Sequence, residues 1–199
     1  MKDATEIGVI VDESGSMEPL AKETISSFNK FLSEQLALPG EATMTVVLFS
    51  NKHRSLCVNT SIKEVKPLCP RTYKPDGYTA LLDAVGSTID AIGAKLAALP
   101  EADRPDKVII VVLTDGEENA STEYKLAQIQ AKVKEQQEKY NWQFIFMGAN
   151  VDAFAVAGSY GVPLAHAMNY AATPSGVRGA FGAAGQSVSS HRRGGSSNI

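Results

Sequence analysis

Ile7-Gly8-Val9-Ile10-Val11-Asp12-Glu13-Ser14-Gly15-Ser16-Met17 is the stretch on which the fold turns. Its first half is β-rich and lacks the polar alternation of a half-exposed strand. It therefore reads as a strand buried on both faces. Its second half changes abruptly to small polar residues around a glycine. From about Glu18 to Ala37 the apolar residues Ile25, Phe28, Leu32 and Leu36 recur at helical steps, until Pro39-Gly40 stops the helix. A buried strand, a polar turn and a helix in that order open an α/β protein.

The alternation continues. Ala42 to Phe49 is predicted as a second strand and His53 to Thr60 as a third, more polar one. The short Ser50-Asn51-Lys52 link makes these two an antiparallel hairpin at a sheet edge. A loop rich in Pro and Lys runs from Lys66 to Tyr78. Leu82, Val85, Ile89, Ile92, Leu96 and Leu99 then step by threes and fours, the clearest helical pattern in the chain. Val108 to Leu113 is wholly apolar and predicts a central strand. A helix is expected over Ser121 to Tyr140, with Leu126, Ile129 and Val133 inward. Phe144 to Met147 reads as a buried strand, Ala153 to Tyr160 as a short helix ending at Gly161, and Pro163 to His166 as a last short strand.

Strands separated by helices imply right-handed crossovers. The expected fold is a doubly wound, Rossmann-like α/β domain over residues 1–170. Its sheet is mostly parallel with one antiparallel edge strand, and helices cover both faces. Thr173-Pro174 reads as a helix cap and first helical residue, opening a Gly-rich helical extension over 171–193. Val177, Phe181, Ala184 and Val188 share one face of it. Gly176, Gly179, Gly182 and Gly185 each weaken that helix by roughly 1 kcal/mol relative to Ala. Such a segment either packs closely through its glycines or orders on binding a partner. A disordered tail is expected over 194–199.

Bulk properties narrow the function. The chain has 199 residues, 44% apolar and 21% charged, which suits a globular protein with a full core. Its formal net charge of −3 leaves no footprint for nucleic acid, and Arg192-Arg193 is the only basic cluster. Cys57 and Cys69 are too few for a disulfide framework, and neither sits in a Cys-x-x-Cys pair. They read as separate thiols in a reducing compartment. Met1 to Glu6 runs into a short strand with an acidic flank, unlike a signal peptide. No stretch approaches the roughly 20 apolar residues of a membrane helix. The expected location is the cytoplasm, with no membrane partner.

In open α/β sheets, ligands bind beyond the carboxyl ends of the strands, where strand order reverses. Three polar clusters fall at such places: Asp12-Glu13-Ser14-Gly15-Ser16-Met17, Asp76-Gly77-Tyr78-Thr79, and Thr114-Asp115-Gly116-Glu117-Glu118. Asp12, Ser14, Ser16, Thr79 and Asp115 are candidate ligands of one divalent cation. Hard cations take oxygen donors, and Mg²⁺ is the first choice, with Mn²⁺ and Ca²⁺ accepting the same donors. The two carboxylates balance a dication, and the three hydroxyls bind it without adding charge. One position stays open for an outside carboxylate.

The set Asp12-x-Ser14-x-Ser16, Thr79 and Asp115 resembles the metal-ion-dependent adhesion site of von Willebrand factor type A domains. Gly15-Ser16-Met17, Gly77-Tyr78-Thr79-Ala80-Leu81-Leu82-Asp83-Ala84 and Leu113-Thr114-Asp115-Gly116 match it too, and the likeness spans roughly Thr5 to His166. The resemblance implies that Ser14, Ser16 and Thr79 touch the metal, with Asp12 and Asp115 acting largely through water. It implies a non-enzymatic module whose metal takes a Glu or Asp side chain of a partner protein. Small stand-alone chains of this type resemble bacterial and bacteriophage proteins. Some relatives work beside AAA+ ATPases of the MoxR kind, and others belong to tellurite- and stress-response systems. The alternative is a structural or assembly component of a virion or multiprotein complex.

The neighbouring residues read more plainly. Glu13, Glu18, Asp76, Glu117 and Glu118 form a solvated acidic rim. Asp83 supports a helix N-terminus, and Thr79 doubles as a helix cap. His53, His166 and His191 are scattered, so no catalytic triad is expected. A haloacid dehalogenase-type phosphatase needs a second Asp where this chain has Ser14, and no phosphate-binding Gly-rich motif is present. No catalytic residue is assigned.

Overall fold

The computed structural model describes residues 4–199; the opening Met1, Lys2 and Asp3, read above as part of an acidic flank, lie outside the described residues. Strand β1 (Thr5–Asp12) is buried along its whole length, as its unbroken apolar run requires. It is flanked by β2 (Ala42–Phe49) on one side and β4 (Lys107–Thr114) on the other, both parallel to it. β3 (His53–Ser61) pairs antiparallel with β2, with register shifts near Val46. β5 (Gln143–Gly148) and β6 (Ala167–Asn169) extend the parallel part, giving the order β3-β2-β1-β4-β5-β6. Strand order reverses between β1 and β4, so Asp12 and Asp115 stand on either side of the switch point.

Among the described residues, five α-helices cover the sheet: α1 (Ala21–Leu36), α2 (Leu81–Ala97), α3 (Leu126–Tyr140), α4 (Ala153–Tyr160) and α5 (Pro174–Arg192). The period of two along each strand divides the core. Ile7, Val9, Val11, Ile109, Val111, Leu113, Ile145 and Met147 face α1 and α5. Ile10, Val108, Ile110, Val112, Phe144 and Phe146 face α2, α3 and α4. Trp142 closes the second core at the start of β5, 4% exposed.

Several elements differ from the sequence expectation, each for a local reason. The helix after β1 starts at Ala21, because Gly15–Leu20 winds as a 3-10 turn containing Pro19. α3 starts at Leu126 instead of Ser121. The amides of Thr122, Glu123 and Tyr124 are taken by the Asp83 carboxylate at 2.8–2.9 Å, so they cannot begin a helix. Leu126, expected inward, is 41% exposed, while Ile129 and Val133 are buried. Pro163–His166 is not a strand: Leu164–His166 forms a 3-10 turn and the pairing falls on Ala167–Asn169.

The C-terminal segment also differs from the picture of an appendage with a loose end. α5 lies in the first core, where Phe181 meets Phe28 edge-on at 6.4 Å and Phe31 at 6.4 Å. Gln35 donates to Gly185 O, and Arg192 donates to Gln35 O at 2.6 Å. Gly185 is the helical glycine that allows this approach: a Cβ there would lie 3.2 Å from Glu34 Oε2 and 3.6 Å from Phe31. Residues 194–199, expected to be free, turn back onto the body. Ser187 donates to Ser197 O, and Ile199 N–H donates to Ala165 O at 3.0 Å. Ile199 packs against the first core, which supplies apolar burial that the polar composition of the tail hides.

Among the described residues no helix is long and apolar enough to cross a membrane. A Cβ added at Gly179 or Gly182 would meet nothing within 4 Å. Gly179→Ala and Gly182→Ala are therefore each expected to stabilise the protein by about 0.5–1 kcal/mol in denaturant titration. Gly185→Ala is expected to be neutral or destabilising; equal gains at all three sites would show that α5 does not pack on α1 as described.

Candidate metal centre

The end of β1 and the end of β4 bring two carboxylates to one place. Asp12 is fully buried, and each of its oxygens has a donor. Ser14 N–H donates to Oδ1 at 2.7 Å, and Thr114 Oγ1 donates to Oδ2 at 2.6 Å. Ser14 Oγ lies 3.1 Å from Ser16 Oγ, and Ser16 Oγ donates to Asp115 Oδ1 at 2.6 Å. A Cβ at Gly116 would stand 3.3 Å from Thr79 Oγ1 and 3.9 Å from Ser16 Oγ, so the third loop runs close against both hydroxyls. All five residues singled out in the sequence thus converge on one point beyond the strand ends.

Local bonds hold the three loops in register. Gly15 N–H donates to Gly77 O at 3.0 Å, joining the first loop to the second. Gly77 has a φ of +79°, and a Cβ there would meet Asn51 Oδ1 at 2.5 Å. Only glycine adopts that turn without strain. Thr79 N–H donates to Asn119 Oδ1 at 2.9 Å, and Asn119 N–H returns a bond to Thr79 O at 3.0 Å. The Asp12 and Thr114 carbonyls, at the ends of β1 and β4, accept from the buried hydroxyls of Tyr73 at 2.6 Å and Tyr170 at 3.0 Å.

Three sequence readings change here. Thr79 is not a helix cap: α2 starts after Ala80, and its first free amides are taken from outside. Leu82 N–H donates to Glu118 Oε2 at 2.8 Å and Asp83 N–H to Ser121 Oγ at 3.0 Å, which leaves the Thr79 hydroxyl uncommitted to capping. Asp83 points away from its own helix and binds the three amides of the following loop. The acidic rim is smaller than expected. Glu13 is buried in a two-bond pair with Arg54 at 2.8–2.9 Å, and Glu118 also accepts from Ala120 and Ser121. The sequence did not reveal the bonds made by Thr114 and Glu118, both within the third polar cluster, or any part for Tyr73, Tyr170 and Asn119. Thr114 alone had a signal, as a polar residue closing an apolar strand that must find a buried partner.

Burial governs the electrostatics of the two carboxyl groups. Burial is the main cause that pushes the Asp12 carboxyl up to about 6, against the bonds from Thr114 and Ser14, and the Asp115 charge adds to the shift. Burial also raises Asp115. Asp115 Oδ2 is buried and has no hydrogen-bond partner among the described residues. A buried, unpaired carboxylate oxygen is costly, and a hard cation bound by hydroxyls and carboxylates removes that cost. No cluster of three or more His, Cys, Asp or Glu could hold a metal among the described residues. The set here contains two acids, and hydroxyls supply its remaining donors. Tyr78, 67% exposed, stands beside Thr79 with its amide fixed by the Asn51 side chain.

No sequence-family model and no curated protein matches the chain. Solved structures do. The PilB minor pilin from Streptococcus sanguinis superposes with a TM-score of 0.63 at 12% identity, over 93% of this chain and 61% of that one. The proximal thread matrix protein 1 of the mussel byssus, with a zinc-occupied MIDAS motif, gives 0.62 at 15% identity, over 89% and 46%. The vWF domain of the type V pili tip protein Mfa5 from Porphyromonas gingivalis gives 0.61 at 12% identity, over 92% and 94%. The chain thus spans less than two-thirds of the pilin and less than half of the byssus protein, and at these identities the likeness is one of fold. Six strands in this order, one antiparallel edge and helices on both faces give the chain the von Willebrand factor type A fold.

Proposed function

We propose that this chain is a metal-dependent protein-binding module in which Asp12, Ser14, Ser16, Thr79 and Asp115 hold a divalent cation that a partner's Glu or Asp carboxylate completes. Mg²⁺ is the first choice, and the same oxygen donors admit Mn²⁺ and Ca²⁺. The observation that carries the reading is Asp115 Oδ2, buried and unpartnered where the three loops meet. When bound, the cation neutralises two carboxylates and offers an electrophilic position to an acidic side chain. The chain's own residues do the rest. Thr114 and Ser14 orient Asp12, Ser16 links Ser14 to Asp115, and Asn119 fixes the backbone that carries Thr79.

The zinc in the byssus protein supports a divalent cation in a fold of this kind, and the pilin and pili tip protein support an adhesive or interaction role. The pilin- and adhesion-type neighbours support a reading of binding without turnover. Within it, the partner is a protein, and an AAA+ ATPase of the MoxR kind is the candidate that the resemblance supplies. The two cysteines are free thiols, which supports a reducing, cytoplasmic setting.

The pH dependence follows from Asp12. A carboxyl raised from 3.8 to about 6 favours its protonated form in the metal-free fold. That contribution to stability is present at low pH and is lost as pH rises through about 6, so the proton and the cation compete. The rise in Tm on adding Mg²⁺ is therefore expected to be larger at pH 7 than at pH 5, measured by thermal unfolding against chelator. A rise that is equal at both values would remove Asp12 from the site. Asp115→Asn is expected to abolish the Mg²⁺-induced rise while leaving the metal-free protein folded, and to raise the metal-free Tm at pH 7.

Partner capture is the direct test. Pull-down in Mg²⁺ is expected to recover a protein that is lost in chelator and lost with Asp12→Ala; capture indifferent to both would sink the reading. Tyr78→Ala is expected to weaken capture by roughly tenfold or more, as for an exposed aromatic anchor, with Tyr78→Phe close to the parent protein.

A further inference from the structure

Residues 194–199 lie against the body as a strap, and two histidines adjoin it. α5 ends at Arg192, and the chain reverses at Gly194, whose φ is +82°. Gly194 N–H donates to His191 O at 3.0 Å and Gly195 N–H to Ser190 O at 2.8 Å. Ser197 is 4% exposed. Its carbonyl accepts from Ser187, and its hydroxyl donates to Gln143 Oε1 at 3.3 Å and lies 3.4 Å from His166 Nε2. Ile199 N–H then donates to the carbonyl of Ala165, the neighbour of His166, at 3.0 Å. A terminal segment held by bonds between neutral groups belongs to the low-stability end of a fold, where a small change in free energy frees it.

Each histidine ring has a buried nitrogen with no hydrogen-bond partner among the described residues, Nδ1 of His166 and Nε2 of His191. Both nitrogens of an imidazolium are donors, so protonation leaves each ring with a buried N–H that has no acceptor. The surroundings add to this. From β4 the charged neighbour is Lys107, whose Nζ donates to Arg192 O at 2.7 Å. From α5 it is Arg192, whose guanidinium turns to the carbonyls of Gln35, Pro39 and Gly40. β5 and the strap present the neutral side chains of Gln143, Ser197 and Asn198. We propose that residues 194–199 form an acid-released strap, docked while His166 and His191 are neutral and freed when they take up protons. Release lets water reach both rings and hydrate their charges. Burial is the first cause that lowers both groups from 6.5 in the docked fold. At His191 the Lys107 and His166 charges lower it further, while at His166 the Asn198 side chain and the Phe144 backbone oppose the shift. Docking is therefore complete above about pH 6.5. It weakens as pH falls below that value, by up to about tenfold per pH unit for each histidine.

The test follows the full chain by NMR from pH 7.5 to pH 5.5, reading amide exchange and the two histidine rings. Protection of the Ile199 amide, corrected for the intrinsic exchange rate, is expected to fall on the order of tenfold or more. Val111, in the central strand, is expected to keep its protection. The double variant His166→Gln, His191→Gln is expected to hold the strap docked at both pH values. Ile199 protection that does not change with pH in the parent chain overturns the proposal. So does an equal fall in the double variant, which assigns the response to another group such as Asp12. Where the double variant does not fold, the ring titrations of the parent decide. Midpoints below 6.5 that coincide with the loss of Ile199 protection support the strap, and a midpoint at or above 6.5 for either histidine overturns it.

Discussion

Two carboxylates at the ends of neighbouring parallel strands are both shielded from water, and the upper end of this molecule depends on that burial: it raises both groups, and the Asp115 charge adds to the shift of Asp12. Asp12 and Asp115 are brought together because β1 and β4 are adjacent at the switch point. Ser14 N–H and Thr114 Oγ1 donate to the two Asp12 oxygens and Ser16 Oγ donates to Asp115 Oδ1, while Asp115 Oδ2 has no partner among the described residues.

The support for that point is mostly backbone held by side chains. Tyr73 and Tyr170 fix the last carbonyls of the two strands from below. Glu118, Asp83 and Asn119 stitch the loop after β4 to the start of α2 with charge-assisted and amide bonds. Such bonds to ionised groups contribute more than neutral ones. The ligand side chains themselves are short, so they inherit their positions from these backbones.

Periodicity made the sheet and the two helix layers legible in the sequence, since buried strands and amphipathic helices leave unambiguous patterns. The five candidate ligands were legible because they fall at strand ends in a recognisable spacing. What the sequence concealed were long-range polar bonds. Nothing in the neighbourhood of Asp83 announces that its carboxylate will take three amides some forty residues away, and that is why α3 was expected to start too early. Glu118 read as solvent-exposed for the same reason. Of the two alternatives for the Gly-rich helix, close packing through a glycine is the one seen at Gly185, while the disorder expected over 194–199 overlooked the partners that Ser197 and Ile199 find on the body.

The stitched loop between Asp115 and Tyr124 has a consequence for how such a chain can vary. Its length is set at both ends and in the middle: Asn119 must reach Thr79, Glu118 must reach Leu82, and Thr122 to Tyr124 must lie over Asp83. An inserted residue would shift one group of these partners against the other, so the segment behaves as a fixed-length strut. The Ser50-Asn51-Lys52 turn is tied to the same face, by Ala80 N–H donating to Ser50 O at 2.8 Å and Tyr78 N–H donating to Asn51 Oδ1, so a change of length there also moves the binding face.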